Sequence, residues 1–193
     1  MLPTCSRNLL TICLACAASF VATTLVAAEP AKVPREGYKP PDFTLATLDG
    51  REVTLYKLLK ESSVVLVVLR GYPGYQCPLC SVQVGDLLKN AERFAKANSK
   101  VVLVYPGPQD ALAAKAAEFV KNRELPEHFL LVTDPDYMFT NEYGLRWDAP
   151  RETAYPATFV IDRQGTIRFA KTSKTHGDRA SAEEVLKFVP GAD

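Results

Sequence analysis

Residues 62–95, SSVVLVVLRGYPGYQCPLCSVQVGDLLKNAERFA, change character twice, and those changes decide the fold. Residues 63–69 open on Ser63 and continue as an unbroken run of Val and Leu, which predicts a central strand buried on both faces. A polar loop with two glycines follows. Beyond it Val84, Leu87, Leu88, Ala91 and Phe94 recur at helical spacing, predicting a helix over 81–97. Strand, loop and helix repeat outward from there. Residues 101–105 read as a second buried strand, 111–120 as a helix and 129–133 as a third strand. A short helix is expected near 137–143. Two runs at 158–161 and 166–170 flank Arg163-Gln164-Gly165 and read as a closing hairpin. Ser181 with Glu184 three positions on is a capping-box signal for a last helix. Upstream, PDFTLATLDGREVTL at 41–55 carries Asp49-Gly50 between two short runs, a second hairpin, and a short helix is expected at 55–60. Strands alternating with helices imply an α/β sheet of mixed direction, covered by helices on both sides.

The first 28 residues read differently. Arg7 is the only charge before Glu29, and residues 9–28 are apolar or small, ending Val26-Ala27-Ala28. That is the pattern of a secretory signal cut near Ala28. Uncleaved, the same stretch would be an anchor, and only then would the protein meet a membrane. The expected layout is therefore a signal at 1–28, a polar Pro-containing linker or extended arm at 29–40 and one domain at 41–193. The expected location is periplasmic or secreted.

The chain has 193 residues, 23 Lys and Arg against 22 Asp and Glu, and five cysteines. Without a basic cluster it does not fit a nucleic-acid binder. Cutting at Ala28 removes Arg7 and balances the charge. It also removes Cys5, Cys13 and Cys16, so the mature chain keeps only Cys77 and Cys80, both in one CPLC tetrad.

The tetrad sits between the buried strand and the following helix. Free N–H groups and the dipole at a helix start stabilise a thiolate, which is the attacking species. Two intervening residues let one sulfur attack and the other resolve, and Pro78 suits the first turn because it has no N–H to lose. Other readings are weaker. A disulfide closing so short a loop removes little unfolded-chain entropy. Zinc would need two more ligands, and the two histidines, His128 and His176, lack a finger's close spacing. A CxxC after a strand and before a helix reads as redox.

These stretches resemble the alkyl hydroperoxide reductase/thiol-specific antioxidant, or peroxiredoxin-like, family of the thioredoxin-fold superfamily. Residues 41–55 resemble its N-terminal hairpin, TDPDYMFTNEYGL at 133–145 the stretch before its last strands, and YPATFVIDRQGTIRF at 155–169 its closing hairpin. The resemblance implies a thioredoxin-like fold and a thiol-dependent peroxidase with no cofactor, acting on a hydroperoxide and reset by a thioredoxin-like dithiol. In the peroxiredoxin register Pro73 fits the family's Pro, Cys77 takes its hydroxyl position and Cys80 its peroxidatic position. Thioredoxin-like reductases use the opposite order, with Cys77 attacking a partner's disulfide. Both orders stay open, and so does a disulfide reductase.

Pro156 stands where peroxiredoxins place an Arg, and it resembles the cis-Pro of thioredoxins, so a cis Tyr155–Pro156 bond is expected. Arg70 is the first candidate for the missing charge, with Arg146 and Arg179 behind it as ordinary surface residues. His128 and His176 read as solvated loop residues. Trp147, Tyr72 and Tyr75 read as walls of the redox pair or fillers of the sheet's end, and Asp134 and Asp136 as caps. A remote alternative is a copper chaperone with Cys77, Cys80 and His176 as ligands.

Overall fold

The computed structural model describes residues 31–192. The leader expected at 1–28 lies outside the described residues. The buried run becomes β3 (Ser63–Val68), and all six of its residues are buried. It sits inside a seven-stranded sheet with β1 (Thr44–Thr47), β2 (Glu52–Thr54), β4 (Ser99–Gly107), β5 (Phe129–Pro135), β6 (Ala157–Ile161) and β7 (Ile167–Thr172). The order is β2-β1-β5-β4-β3-β6-β7. The central strands β3, β4 and β5 run parallel, with Val65 opposite Val101 and Val101 opposite Phe129. The two hairpins add antiparallel pairs at either side.

Side chains alternate across a strand, so β3 feeds two separate cores. Val65 and Val67 join Val84, Leu87, Phe119 and Val185 on one face. Val64, Leu66 and Val68 join Leu55, Phe139 and Tyr143 on the other. The first face is covered by α2 (Pro78–Lys89), α3 (Ala91–Lys96), α4 (Gln109–Val120) and α6 (Ala182–Leu186). The second is covered by α1 (Leu55–Leu58) and α5 (Met138–Glu142). Double coverage explains why the parallel strands read as continuous apolar runs rather than alternating ones.

One helix expected at 81–97 is two. Asn90 breaks it: its side-chain amide donates to the Asp86 carbonyl at 3.0 Å, taking an acceptor the helical ladder uses, and its own backbone is no longer helical. The Ser181 cap forms, with its hydroxyl accepting the Glu184 N–H at 3.2 Å. The reciprocal half of the box does not, because the Glu184 carboxylate turns to Lys171. Asp134 and Asp136 are caps: Asp134 accepts from Phe139 and Thr140 N–H, and Asp136 from Gln109 N–H. Within the expected linker, Gly37 N–H bonds the Ile167 carbonyl and Ile167 N–H bonds that of Tyr38, so residues 37–38 lie along β7. Among the described residues no helix is long and apolar enough to cross a membrane.

Candidate active site

The loop after β3 is pressed against the neighbouring strand. Gly71 has a φ of +70°, and a Cβ there would lie 2.0 Å from the Pro106 carbonyl oxygen, so only glycine fits. The half-buried Pro73 and the exposed Gly74 complete the turn that brings the chain to Cys77. Cys77 is the N-cap of α2, with Pro78 opening the first turn. This is earlier than the expected start at Ser81.

Both cysteines are free thiols and each is 2% exposed, with Cys80 the more deeply enclosed. Cys80 N–H donates to the Cys77 Sγ at 3.4 Å, and Arg70 N–H donates to the Cys80 Sγ at 3.3 Å. The Arg179 guanidinium donates to the Cys77 Sγ at 3.6 Å. These contacts separate the two thiols. A hydrogen bond from the Cys80 thiol pulls the Cys77 pKa down, burial resists, and the Cys80 N–H, Arg179 and Arg70 reinforce the fall to about 5. Burial pushes Cys80 well up, and its hydrogen bond to Cys77 pushes the same way. The site therefore holds a thiolate at Cys77 beside a protonated Cys80.

Arg179 sits 102 positions from Cys77 and was expected on the surface. The turn after β7 carries it back. It is held there by the buried Gln83, whose carbonyl oxygen accepts from Arg179 at 3.2 Å while its amide donates to Thr158 and the Ala180 carbonyl. Gln83 was missed in the sequence. A polar residue three positions after Cys80, on the apolar face of a helix, was the signal that could have found it.

Arg70 lies near the pair, but its guanidinium is committed elsewhere. It is 3% exposed and donates to Glu152 at 2.8 Å, to the Tyr75 hydroxyl at 2.7 Å and to the Arg151 carbonyl at 3.0 Å. The other oxygen of Glu152 meets His176 Nε2 at 2.9 Å. Burial opposes ionisation of Glu152, but hydrogen bonds from Arg70 and His176 outweigh it and hold its carboxyl below the usual value. His176 is a loop residue with its side chain 42% exposed, as expected, but its ring is tied to Glu152. Its carbonyl also accepts the Arg179 Nε at 3.0 Å, and its ring lies 5.2 Å from Trp147, which stacks on Tyr155 at 4.6 Å.

Other candidates resolve differently. The Tyr155–Pro156 bond is trans, against expectation, since no cis peptide occurs among the described residues. Pro156 immediately precedes β6. Its carbonyl accepts Ser173 N–H and the preceding Tyr155 N–H reaches the Leu145 carbonyl, so both neighbours are satisfied without the costlier isomer. Arg146 spends its guanidinium on the Trp147, Glu152 and Thr153 carbonyls and stays away from the sulfurs. His128 bonds the Ala91 carbonyl beside Phe129. Tyr75 closes over Arg70, whereas Tyr72 packs on the core under Lys115. Among the described residues no group of three or more His, Cys, Asp or Glu side chains could hold a metal ion, so Cys77, Cys80 and His176 do not form the copper site considered above.

Arg179→Met is expected to raise the Cys77 pKa from about 5 by roughly one unit. Rates of thiol alkylation should then fall about fivefold near pH 5 and stay unchanged near pH 8, where both proteins are thiolates. A depressed thiol pKa stabilises the fold above the ordinary thiol range. That contribution is lost as pH falls towards 5, and Arg179→Met should reduce it.

Residues 35–186 match the family model described as Redoxin. Among curated relatives, the chloroplastic peroxiredoxin Q of Triticum aestivum is 31% identical over 154 residues, covering 80% of this chain and 66% of the relative. That of Suaeda salsa is 29% identical, covering 80% and 67%. The chain thus spans about two thirds of the length of these relatives. Of solved structures, peroxidoxin BcpB from Mycobacterium tuberculosis superposes with a TM-score of 0.63 at 21% identity, covering 79% of this chain and 91% of that one. A thiol:disulfide interchange protein DsbE, described as putative, from Chlorobium tepidum superposes with 0.59 at 22%, covering 80% and 98%. At those identities the structures speak for the fold, which is thioredoxin-like. With four fifths of its length inside one family model, the chain belongs to the Redoxin family.

Proposed function

We propose that the protein is a thiol peroxidase that reduces hydroperoxides through Cys77 and Cys80. The observation that carries this reading is the buried pair of free thiols at the start of α2, with the Arg179 guanidinium 3.6 Å from the Cys77 Sγ and the Cys77 pKa drawn down while that of Cys80 is pushed up. The Cys77 thiolate attacks one oxygen of ROOH. An S–O bond forms, the O–O bond breaks, and the leaving alkoxide takes a proton from water as ROH. Arg179 faces the negative charge as it moves from sulfur to the leaving oxygen. The Cys80 sulfur then attacks the sulfenic sulfur of Cys77. The S–S bond forms, and hydroxide leaves with the Cys80 proton as water. An external dithiol of the thioredoxin type reduces the disulfide by exchange and is itself oxidised.

This order makes Cys77 the first nucleophile, the reverse of the peroxiredoxin register and the same order as in the reductases. Pro73 shapes the loop, and Arg70, through its backbone N–H and its pair with Glu152, supports the site from behind. Residues 1–28 act as an export signal in this reading, and the enzyme works outside the cytoplasm. The relatives' names place those proteins in chloroplasts.

A protein disulfide as substrate is less favoured. In thioredoxins the chain before the cis-Pro pairs with the incoming substrate backbone. Here that edge is already used, because Trp147 N–H bonds the Thr153 carbonyl and Tyr155 N–H the Leu145 carbonyl. Peroxide consumption coupled to a thioredoxin system, run beside insulin reduction, tests the choice. Consumption of hydrogen peroxide or an organic hydroperoxide is the expected result. Insulin reduction with every peroxide left untouched would overturn the reading.

A further inference from the structure

The turn between β7 and α6, residues 173–181, is fastened at its base. Ser173 N–H donates to the Pro156 carbonyl at 2.8 Å, and the Ser173 hydroxyl donates to the Asp178 carbonyl at 2.6 Å. The Asp178 carboxylate lies 3.1 Å from the Lys171 ammonium. Towards the tip, Lys174 and Thr175 are exposed. Among the described residues, the side chain that reaches from this tip to another part of the molecule is the His176 imidazole, whose Nε2 lies 2.9 Å from Glu152 Oε1. Yet this turn delivers Arg179, and each of its three guanidinium nitrogens has a set partner. Nε donates to the His176 carbonyl at 3.0 Å, Nη1 to the Gln83 carbonyl oxygen at 3.2 Å and Nη2 to the Cys77 Sγ at 3.6 Å.

The anchor for the imidazole is firmly held. Glu152 is 13% exposed, its second carboxylate oxygen accepts from Arg70 Nε at 2.8 Å, and its main-chain carbonyl accepts from Arg146 at 3.3 Å. Arg70 is buried in turn: its N–H donates to the Cys80 Sγ, and its carbonyl accepts from the Thr153 hydroxyl. A closed ring of contacts therefore runs from Cys80 through Arg70, Glu152, His176 and Arg179 to Cys77, and back through the Cys80 N–H. His176 acts at two points of this ring, its imidazole on Glu152 and its carbonyl on the guanidinium. Hydrogen bonds from Arg70 and His176 favour the ionised Glu152, which can only accept, so Nε2 carries the hydrogen of the shared bond. The last link matters because a charge acts on a neighbour through distance, and small displacements at a reacting centre are costly.

We propose that His176 is a positioning residue: its Nε2–H bond to Glu152 fixes the tip of the turn, and its carbonyl then aims the Arg179 guanidinium at the Cys77 sulfur. His176 acts through Arg179 alone. Without the imidazole anchor its carbonyl moves with the turn, and Arg179 keeps Gln83 but loses the partner that orients Nε. The proposal rests on the peroxidase reading, in which that guanidinium faces the reacting sulfur, and deepens it by naming what holds the charge in place.

The pH profile of Cys77 alkylation by iodoacetamide, followed on the full chain, tests it with two variants of His176. His176→Phe keeps an aromatic ring beside Trp147 but has no donor for Glu152, whereas His176→Gln restores an N–H near the place of Nε2. His176→Phe is expected to raise the midpoint of the profile by about half a unit, with roughly a twofold fall in rate near pH 5 and none near pH 8. His176→Gln should keep the wild-type midpoint. In an Arg179→Met background His176→Phe should add no further shift, because a residue that acts through another has no effect once that other is gone. A wild-type midpoint in His176→Phe, an equal shift in His176→Gln, or an undiminished shift in the Arg179→Met background would each overturn the proposal. If the wild type consumes no peroxide, the peroxidase reading fails, and the alkylation profiles still decide the role of His176.

Discussion

Cys77→Ser is expected to stop peroxide consumption, with a loss of at least about a thousandfold, because no other group on the chain is a preformed nucleophile at this place. Cys80→Ser should behave differently. Its Cys77 retains the Arg179 contact and the helix N-terminus, so it should still attack peroxide once per chain. Without the resolving thiol, the sulfenic acid should persist and accept a dimedone-type probe at Cys77. The Cys77→Ser protein should remain unlabelled, because burial keeps Cys80 protonated. Labelling at Cys80 in Cys77→Ser would restore the peroxiredoxin register and reverse the order of attack. Mass spectrometry of the labelled peptide reads the outcome directly. One part of the expectation depends on Cys80 itself. Cys80→Ala also removes the side-chain donor, the largest contribution to the low Cys77 pKa, so its pH–rate profile should move to higher pH.

Glu152→Ala should produce the largest loss of stability among single changes near the site. Glu152 is 13% exposed and its partner Arg70 3%, with 2.8 Å between charged atoms. Removing the carboxylate strands a buried guanidinium that keeps only Tyr75 and a backbone carbonyl. Breaking a buried pair in this way costs about 3–5 kcal/mol, and the partial exposure of Glu152 places the expectation near the lower figure. In a domain of this size that lowers Tm by roughly 6–12 °C. Glu152→Gln retains an acceptor and should lose less. Calorimetry across pH gives a second check. The Glu152 carboxyl is held below its usual value, so its contribution is complete above the ordinary carboxylate range and fades as pH falls into it. The wild type should therefore lose its advantage over Glu152→Gln in acid.

The strands, the mixed sheet and the place of the redox pair were legible because each rests on local chemistry. A run of six apolar residues at 64–69 reads as a doubly covered strand in a chain of this kind, and CPLC opens the helix after it. The helix break at Asn90 was less visible, since it depends on one side chain competing for one carbonyl. The contacts of Arg179 and His176 were hidden for a different reason. Both residues lie far along the chain in a polar turn, with no spacing relation to Cys77, and they read as ordinary surface residues. Gln83 was within reach, as a polar residue on a face that otherwise packs into the core.

The sequence by itself determined the nucleophile class, the strand–loop–helix frame that presents it and the family resemblance. Neighbours along a chain are enough to specify a periodicity, a cap and a two-residue spacing between sulfurs. Only the tertiary structure decided how the two thiols differ. The bond from Cys80 to Cys77 comes from local geometry, but burial of Cys80 depends on the packed core. The charge beside Cys77 arrives through the turn after β7. The structure also showed Arg70 committed to Glu152 and Pro156 in the trans form, removing two roles that spacing had suggested. Thiol pKa values follow from solvent exclusion and nearby charge, and both are properties of the assembled chain.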